Sequence, residues 1–503
     1  MLKQQINLTR QECLLLIIII ALASIIRLWS LSDIGFNNDE AIYSGQAATL
    51  AGYEEFGKFF SIHRAHPLFL QFIISILFEN FGISDTIARI VPAILGVTTV
   101  FLTYLIGKML YDTKVAIAAA LVITVLPYHT IISREVLLDV PLSFFFTLTL
   151  FFVICYMKNT KGIHWLYLIG VSSGLSFLSK EVGIFALICS ILCLLLIRGL
   201  TPRNLLIVIS SFVLATSPYW LPILTIEEAQ AAFLYYWQWQ TEREPNHPDT
   251  FYLELVSREA LGYGLTILCI ASIVSALITG NIKKPAVYLL LVWISIPLFI
   301  FQFLPIKGYH FVVSVIPSFT LLGVSVLFGD WMKKVPYIRI IPIIVIPLIF
   351  LSSGSVLNYL FGISPPDIAG SGGEPYAREA AIWIRDNLPN DSVLLTLDTP
   401  MANIIKYYSN NEVFSLHSNK NPAYTKIETA DLSILSGQIH YLVYESYRAE
   451  RSAYLKEEAE EMNDLRMKYD AVPIYIQYKG HIGGNNQNLT PAIIIYSLDR
   501  IQG

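Results

Sequence analysis

Long apolar runs alternate with short polar segments over the first 360 residues of the chain. Runs such as Leu14–Ile26, Val91–Ile106 and Phe144–Tyr156 can be buried in hydrocarbon as helices, because a helix satisfies its own backbone donors and acceptors where no water is present. The pattern therefore predicts a polytopic α-helical protein of a cell membrane.

Paired cations occur in alternate loops between these runs and set the orientation. The pairs are Lys108 and Lys114, Lys158 and Lys161, Arg198 and Arg203, Lys283 and Lys284, and Lys333 and Lys334. By the positive-inside rule these loops and the N-terminus are cytoplasmic. The segment 67–82 is apolar but short, and its crossing would reverse the side of every later cationic loop. We therefore expect an amphipathic helix in the outer interface there.

Eleven transmembrane helices remain, with the N-terminus cytoplasmic and the C-terminus outside. The expected spans are 12–32, 86–108, 114–132, 140–157, 163–179, 182–198, 203–222, 258–280, 285–304, 310–329 and 336–360.

The composition changes after Phe361, where Pro-rich and Gly-rich segments mark a boundary and charged residues become frequent. We predict a transmembrane domain over 1–361 and a soluble extracytoplasmic domain over 362–503. In the second domain, helical spacing over 377–388 and 401–408 and strand patterns over 392–397 and 441–444 indicate an α/β fold. The charged stretch 448–468 is typical of a solvated helix, and Asn390 and Asn488 begin glycosylation sequons.

The overall composition narrows the class of protein. Of 503 residues, 54% are hydrophobic and 14% are charged, with a net charge of −4. These values exclude a soluble enzyme and a nucleic-acid binder. The five cysteines all lie in apolar segments, so neither a disulfide framework nor a thiolate metal site is indicated.

Five clusters of ionisable residues fall in the predicted outer loops. They are Asp39-Glu40, His63-Arg64 with His66, Arg134-Glu135 with Asp139, Lys180-Glu181, and Lys307-Gly308-Tyr309-His310. Charges near hydrocarbon are costly, and the inner loops carry mostly the cations that orientation requires. The clusters therefore predict one polar site on the outer face.

The run from Ser133 through Asp139 and Pro141 to Leu142 is followed by three phenylalanines, and three further pieces occur in order around it. These pieces are Asp39-Glu40 with Tyr43, His66-Pro67-Leu68, and Ser179-Lys180-Glu181-Val182-Gly183. The ordered set resembles the protein O-mannosyltransferases and the related lipid A aminoarabinose transferases, which are GT-C glycosyltransferases.

This resemblance implies a GT-C fold and transfer of a mannose-like hexose from a polyprenyl- or dolichyl-phosphate donor to an acceptor hydroxyl. The chain has His66-Pro67-Leu68 where the family often has His-Pro-Pro, and its C-terminal region lacks a trefoil-like repeat. Protein, lipid and glycan acceptors therefore all stay open.

The implied reaction sets requirements that these residue types can meet. The departing lipid phosphate approaches two negative charges, because its second pKa is about 6, so it needs cations. Arg134, Lys180, Lys307 and His310 are the candidates. The acceptor hydroxyl must lose its proton as it attacks C1, and Asp39, which matches the family's outer-loop acid, is the expected general base. Displacement without a covalent intermediate predicts inversion.

Most of these residues also have a structural alternative. Asp39 and Asp139 could cap the helices that follow them. Asp139 is otherwise expected to bind the sugar or orient Arg134. Arg134, Lys180 and Lys307 could be interfacial anchors. The aromatic segment Phe233–Trp239 could cover a sugar or form an interfacial belt.

The remaining predicted substrate-binding residues are Glu40, His66, Glu181 and Tyr309. Glu40 and His66 could also share a divalent metal ion, although the sequence has no dedicated metal motif and identifies no cofactor. Their alternatives are a first-turn acid favoured by the helix dipole and an ordinary loop histidine.

Two other functions fit parts of the pattern. An oligosaccharyltransferase-like GT-C enzyme would carry a Trp-Trp-Asp acceptor motif, which the sequence lacks. A transporter would place ionisable residues near the middle of its spans and show repeated halves. The expected partners are a polyprenyl-phosphate-linked sugar, a protein, lipid or glycan acceptor, and membrane lipids, with no nucleic acid.

Overall fold

The computed structural model describes residues 8–63, 66–159, 162–329, 356, 360, 376–417, 430–451, 455–478 and 490–498. The chain forms two compact units. The helical unit comprises Met1–Leu31, Ile62–Leu77 and Thr86–Ser371, and the sheet unit comprises Ser32–Ser61, Phe78–Asp85 and Gly372–Gly503. The predicted boundary at 361/362 lies outside the described residues and stays a prediction.

Of the helices before residue 330, most of the long ones follow the apolar runs. Their bounds are α1 Arg10–Leu28, α2 Asn38–Leu50, α3 Glu54–Gly57, α4 Phe69–Phe81, α5 Asp85–Leu110, α6 Thr113–Val125, α7 Pro127–Ile132, α8 Asp139–Lys158, α9 Ile163–Ser179, α10 Ile184–Leu196, α11 Pro202–Thr225, α12 Glu227–Glu242, α13 Phe251–Glu254, α14 Gly262–Ile278, α15 Pro285–Phe303 and α16 Ile316–Ser325. Short 3₁₀ turns occur at Glu181–Gly183, Asn281–Lys283, Tyr309–Val315 and Val326–Phe328, and a π-helical turn at Leu255–Ala260.

Several of these helices are long and apolar enough to cross a membrane. Among the described residues they are Arg10–Leu28, Asp85–Leu110, Asp139–Lys158, Pro202–Thr225, Pro285–Phe303 and Tyr309–Phe328, with the pair Phe251–Ala260 and Gly262–Ile278, bent by 110°, as a seventh candidate. Shorter apolar helices lie at three other predicted spans. A multi-pass membrane protein is therefore confirmed, whereas the predicted span 336–360 lies almost entirely outside the described residues. The segment 67–82 forms α4, whose 13 residues are about 20 Å long.

Close packing holds α9, whose C-terminal end leads directly into Lys180. A Cβ added at Gly170 would lie 2.4 Å from the Val208 carbonyl oxygen, so glycine lets α9 approach the backbone of α11. Helix α9 also packs on α8, to which a short loop joins it. The two helices are antiparallel neighbours, and the C-terminal end of α9 therefore lies beside the N-terminal end of α8.

A polar contact joins the beginnings of α1 and α6 to the end of α5. The Glu12 carboxylate accepts a hydrogen bond from Lys108 Nζ at 3.0 Å and from Thr113 Oγ1 at 2.6 Å. The beginnings of α1 and α6 and the end of α5 therefore meet at one end of the bundle.

The sheet unit contains a five-stranded sheet. Its later elements are α17 Ala377–Asn387, β1 Val393–Thr396, α18 Thr399–Ser409, β2 Glu412–Ser415, α19 Ala430–Leu435, β3 Tyr441–Tyr444, α20 Ser446–Arg451, α21 Lys456–Lys468, β4 Val472–Tyr478 and β5 Pro491–Ser497. The strand order is β2-β1-β3-β5-β4. β1 pairs in parallel with β2 and β3, and β5 pairs antiparallel with β3 and β4. The predicted α/β fold is confirmed, although the sequence did not indicate β2, β4 or β5.

The N-terminal segment 32–61 packs within the sheet unit on α18. The Tyr408 hydroxyl accepts a hydrogen bond from the Phe36 N–H at 2.9 Å and donates one to Asp85 Oδ2 at 2.8 Å. The Phe36 ring lies 5.0 Å from the ring of Tyr407, measured between centroids. These contacts explain why the segment belongs to this unit.

Candidate active site

Asp139 and Lys180 form a buried ion pair at neighbouring helix ends. Lys180 Nζ lies 2.8 Å from Asp139 Oδ2 and 3.0 Å from Oδ1. The side chains are 3% exposed for Asp139 and 14% exposed for Lys180. Leu138 occupies the N-cap position of α8, so Asp139 is not the cap. The pair keeps an ammonium group fixed with its charge balanced.

His66 and Glu181 form a second pair beside the first. His66 Nδ1 lies 2.8 Å from Glu181 Oε1, and the His66 ring meets the ring of Tyr236 edge-on at 5.2 Å. An ionised carboxylate only accepts hydrogen bonds, so the network assigns the proton to Nδ1. The Nε2 atom of a neutral His66 is then an acceptor.

Lys307 is almost fully buried, with 4% of its surface exposed. Its Nζ lies 3.4 Å from the His247 carbonyl oxygen and 3.8 Å from Asp249 Oδ1. Burial, followed by the charge of Lys307, lowers the pKa of His247, so His247 is neutral near pH 7 and adds no cation. Of His247 and Lys307, Lys307 is therefore the one that carries positive charge.

Tyr309 and His310 follow Lys307 in a 3₁₀ turn, and both are half-buried. The Tyr309 ring lies edge-on to His247 at 5.0 Å. Phe311, the next residue, has its ring 4.7 Å from Lys180 Nζ. This cation–π contact joins the 307–311 segment to the Asp139–Lys180 pair.

Arg134 holds the end of α1. Its Nη1 donates to the Ile26 carbonyl at 2.7 Å, and its Nη2 donates to those of Trp29 at 2.7 Å and Ser30 at 3.3 Å. Carbonyls at a helix C-terminus lack partners within the helix, and a guanidinium group can serve several of them at once. These contacts favour a structural role over the predicted phosphate contact, which stays a prediction.

Asp39 and Glu40 lie in the sheet unit, in the first turn of α2. Asn37 caps this helix, and its Oδ1 accepts from the Glu40 N–H at 2.9 Å while Glu40 Oε2 accepts from the Asn37 N–H at 3.2 Å. The reciprocal pair is a capping box. The alternative that Asp39 is the cap is therefore wrong, and the half-buried Asp39 accepts a hydrogen bond from Asn38 Nδ2 at 3.1 Å.

The described residues contain no cluster of three His, Cys, Asp or Glu side chains able to hold a metal ion. The carboxylate of Glu40 and the Nδ1 atom of His66 each already have a hydrogen-bond partner. The predicted metal site on Glu40 and His66 stays a prediction.

The helical unit joins residues from three predicted outer loops and from the beginning of the predicted span 310–329. His66, Asp139, Lys180, Glu181 and Phe311 are linked by the two ion pairs and the cation–π contact. Phe311, Tyr236, Asn246 and Tyr252 were not predicted as site residues individually. Tyr236 belongs to the aromatic segment that the sequence marked. Asn246 and Tyr252, which bond to the backbone of Lys307 and Gly308, had no sequence signal.

Residues 65–243 match the family model of dolichyl-phosphate-mannose-protein mannosyltransferases. This segment contains both ion pairs and Arg134. No curated protein is significantly similar to the sequence.

ArnT from Cupriavidus metallidurans, in its structure bound to undecaprenyl phosphate, has a TM-score of 0.67 with this chain at 15% identity, over 96% of this chain and 97% of ArnT. The fold is that of a GT-C glycosyltransferase. The archaeal oligosaccharyltransferase AglB from Archaeoglobus fulgidus, in complex with an inhibitory peptide and a dolichol-phosphate, has a TM-score of 0.55 at 13% identity, over 96% of this chain and 74% of AglB. The arabinofuranosyltransferase AftD from Mycobacteria has a TM-score of 0.56 at 14% identity, over 98% of this chain and 40% of AftD. The GT-C fold and the resemblance predicted from the motifs are therefore confirmed.

Proposed function

We propose that this GT-C protein is an integral membrane glycosyltransferase that moves a mannose-like hexose from a polyprenyl- or dolichyl-phosphate donor to an acceptor hydroxyl, with inversion at C1. The observation that carries the proposal is the likeness to ArnT bound to undecaprenyl phosphate, which extends over nearly all of both chains. The match to the mannosyltransferase family model supports the same class of donor.

The residues of the helical unit supply the positive charge that a departing lipid phosphate needs. Lys180 is held in place by Asp139, so its ammonium group is preorganised and needs little rearrangement when negative charge develops. Lys307 contributes a second buried ammonium group, and His310 lies three residues later. His66, held by Glu181, can accept a hydrogen bond from a sugar hydroxyl through Nε2. Tyr236 lies against the His66 ring, on the segment proposed to cover the sugar.

Asp39 is the proposed general base for the acceptor hydroxyl. Its neighbour Glu40 is engaged in the capping box, which leaves Asp39 as the carboxylate of this helix turn without a capping role. Because the leaving phosphate is already ionised, a single carboxylate suffices.

The orientation proposed from the cationic loops places the N-terminus in the cytoplasm and the site outside. The Glu12–Lys108 contact lies at the end of the bundle that carries predicted cytoplasmic loops. Asp139 and Lys180 lie where α8 begins and α9 ends, away from the predicted cytoplasmic loop that joins these two helices.

The direct test is turnover of several polyprenyl-phosphate sugars by the purified full-length protein. Asp39→Asn should lower kcat by about 10²- to 10⁴-fold, the usual contribution of a general base. Asp33→Asn, at an exposed position in the same unit, is the matched control and should retain activity. Full turnover by Asp39→Asn would remove Asp39 from this role.

A second candidate function follows from the likeness to AglB, whose structure contains an inhibitory peptide and a dolichol-phosphate. In that function a lipid-linked glycan is passed to an asparagine. Offering the protein a sequon peptide beside hydroxyl acceptors separates the two: label on asparagine would favour the oligosaccharyltransferase-like function.

A further inference from the structure

The backbone of Lys307 is held by a single side-chain amide. Asn246 Oδ1 accepts from the Lys307 N–H at 2.8 Å, and Asn246 Nδ2 donates to the Lys307 carbonyl at 3.1 Å. This reciprocal arrangement satisfies both backbone groups of one residue, as a neighbouring strand would.

Two tyrosine hydroxyls hold the next two residues. The Tyr252 hydroxyl accepts from the Gly308 N–H and donates to the Gly308 carbonyl, both at 3.1 Å. The Tyr128 hydroxyl donates to the Tyr309 carbonyl at 2.5 Å. The Tyr252 ring packs against Phe251 at 5.0 Å between centroids, so the hydroxyl is held by a fixed ring.

These contacts restrict where the ammonium group of Lys307 can lie. A lysine side chain is a flexible four-carbon stem, and its charge is well placed only when its backbone is fixed. Because the side chain is buried and its Nζ lies near the His247 carbonyl, a shift of the 307–309 backbone would move the charge.

We propose that Asn246, Tyr252 and Tyr128 form a backbone clamp that positions Lys307 for the donor phosphate. The inference rests on the proposed function and deepens it, because it assigns the placement of the phosphate-binding lysine to three residues outside the motifs. They are positioning residues and act through Lys307.

The test uses the affinity of the full-length protein for undecaprenyl phosphate, with kcat/KM for the donor measured alongside. Tyr252→Phe removes only the hydroxyl and should weaken undecaprenyl phosphate binding by up to about tenfold, the equivalent of one or two hydrogen bonds. Tyr263→Phe is the matched control, because Tyr263 is 67% exposed, and it should bind as the wild type does.

A double-variant cycle separates positioning from general stability. Tyr252→Phe combined with Lys307→Met should bind no more weakly than Lys307→Met alone, because the clamp acts through Lys307. Additive losses, or wild-type binding by Tyr252→Phe, would overturn the clamp. Where Tyr252→Phe fails to fold, Asn246→Ala takes its place in the same cycle. A wild-type protein that binds undecaprenyl phosphate but turns over no polyprenyl-phosphate sugar would contradict the proposed function and leave the clamp standing.

Discussion

Lys180 and Glu181 are consecutive residues, yet their side chains contact different partners. Lys180 has an extended backbone, with φ −164° and ψ 145°, and successive side chains of an extended chain point to opposite sides. Lys180 therefore reaches Asp139, while Glu181 reaches His66. One change of backbone conformation after α9 thus attaches two separate segments to the end of this helix.

Two variants separate the structural role of the Asp139–Lys180 pair from its proposed chemical role. Lys180→Met leaves the buried Asp139 carboxylate unpaired, which should cost about 3–5 kcal/mol of stability and abolish most turnover. Asp139→Asn combined with Lys180→Met removes both charges, so the thermal unfolding midpoint should recover while activity stays low. Thermal unfolding and donor turnover of the three proteins check this.

Lys284→Met is the control for this pair, because Lys284 is exposed at the beginning of α15. It should match the wild type in both measurements. Wild-type turnover by the double variant would exclude Lys180 from phosphate stabilisation.

The sequence predicted the members of both ion pairs as site residues but not which residues pair with each other. Their charge at the outer ends of apolar runs carried the signal. Their partners lie 41 and 115 residues apart in the chain, and such pairing depends on helix packing that no local pattern encodes. Arg134 illustrates the limit: its residue type suits a phosphate, but in the structure it contacts carbonyl groups.

Helix ends within the bundle depend on side chains from other elements. Arg134 serves three carbonyls at the end of α1. Arg134→Lys keeps the charge but replaces the planar guanidinium group, with its several N–H donors, by a single ammonium group. Part of the hydrogen bonds to the three carbonyls is therefore lost. We expect a lower thermal unfolding midpoint and, if the role is structural, undecaprenyl phosphate affinity within about twofold of the wild type, less than the cost of one hydrogen bond.

Arg203→Lys, at an exposed position in α11, controls for the substitution itself and should leave both values unchanged. Weakened binding by Arg134→Lys with an unchanged unfolding midpoint would instead restore the phosphate contact predicted from the sequence.

In the sheet unit, the buried Asp398 caps α18. The shift of its pKa predicts a pH dependence of stability. Burial raises the pKa of Asp398, and the Arg448 guanidinium, 2.8 Å away, opposes this shift without cancelling it. A carboxyl group with a raised folded-state pKa stabilises the fold below its unfolded pKa of about 3.9 and loses that contribution as pH rises through the folded value. The unfolding midpoint of the wild type minus that of Asp398→Asn should therefore fall as pH rises from about 4.

Asparagine retains an oxygen that can accept from the Met401 N–H, so the cap itself survives the substitution. Asp391→Asn, at an exposed position before β1, should show no such trend. A difference that grows with pH would mean that the attraction of Arg448 outweighs burial.

Element by element, long apolar helices were the most predictable part of the fold. Their ends agree with the predicted spans to within a few residues because the hydropathy changes sharply there. The break between α6 and α7 at Pro127 and the π-helical turn at Leu255–Ala260 were not predicted, since each lies within or beside an apolar run. Strands β2 and β4 lie at the edges of the sheet, and β5 is a run of apolar residues with no clear alternation.

At the scale of the whole molecule, chain order and spatial grouping differ. The segment Ser32–Ser61 follows the first span but belongs to the unit that also holds residues 372–503. Its anchors are Phe36 on Tyr407 and Tyr408, and contacts between residues so distant in the chain leave no periodic signal. The sequence therefore predicted the α/β fold of the C-terminal region without this N-terminal contribution.

The predicted orientation depends on the number of crossings between Lys284 and Asp391. The spans 285–304, 310–329 and 336–360 make three, an odd number, so the two residues should lie on opposite sides of the membrane; two crossings would place them on the same side.

Both positions are exposed, and of the five native cysteines Cys13 is exposed whereas the other four are buried. In a Cys13→Ser background, a membrane-impermeant maleimide should label Asp391→Cys in intact cells and Lys284→Cys only after permeabilisation. Labelling of neither residue in intact cells, and of both after permeabilisation, would mean that 336–360 does not cross. Labelling of Lys284→Cys alone in intact cells would reverse the orientation, placing Lys283 and Lys284 outside against the positive-inside rule.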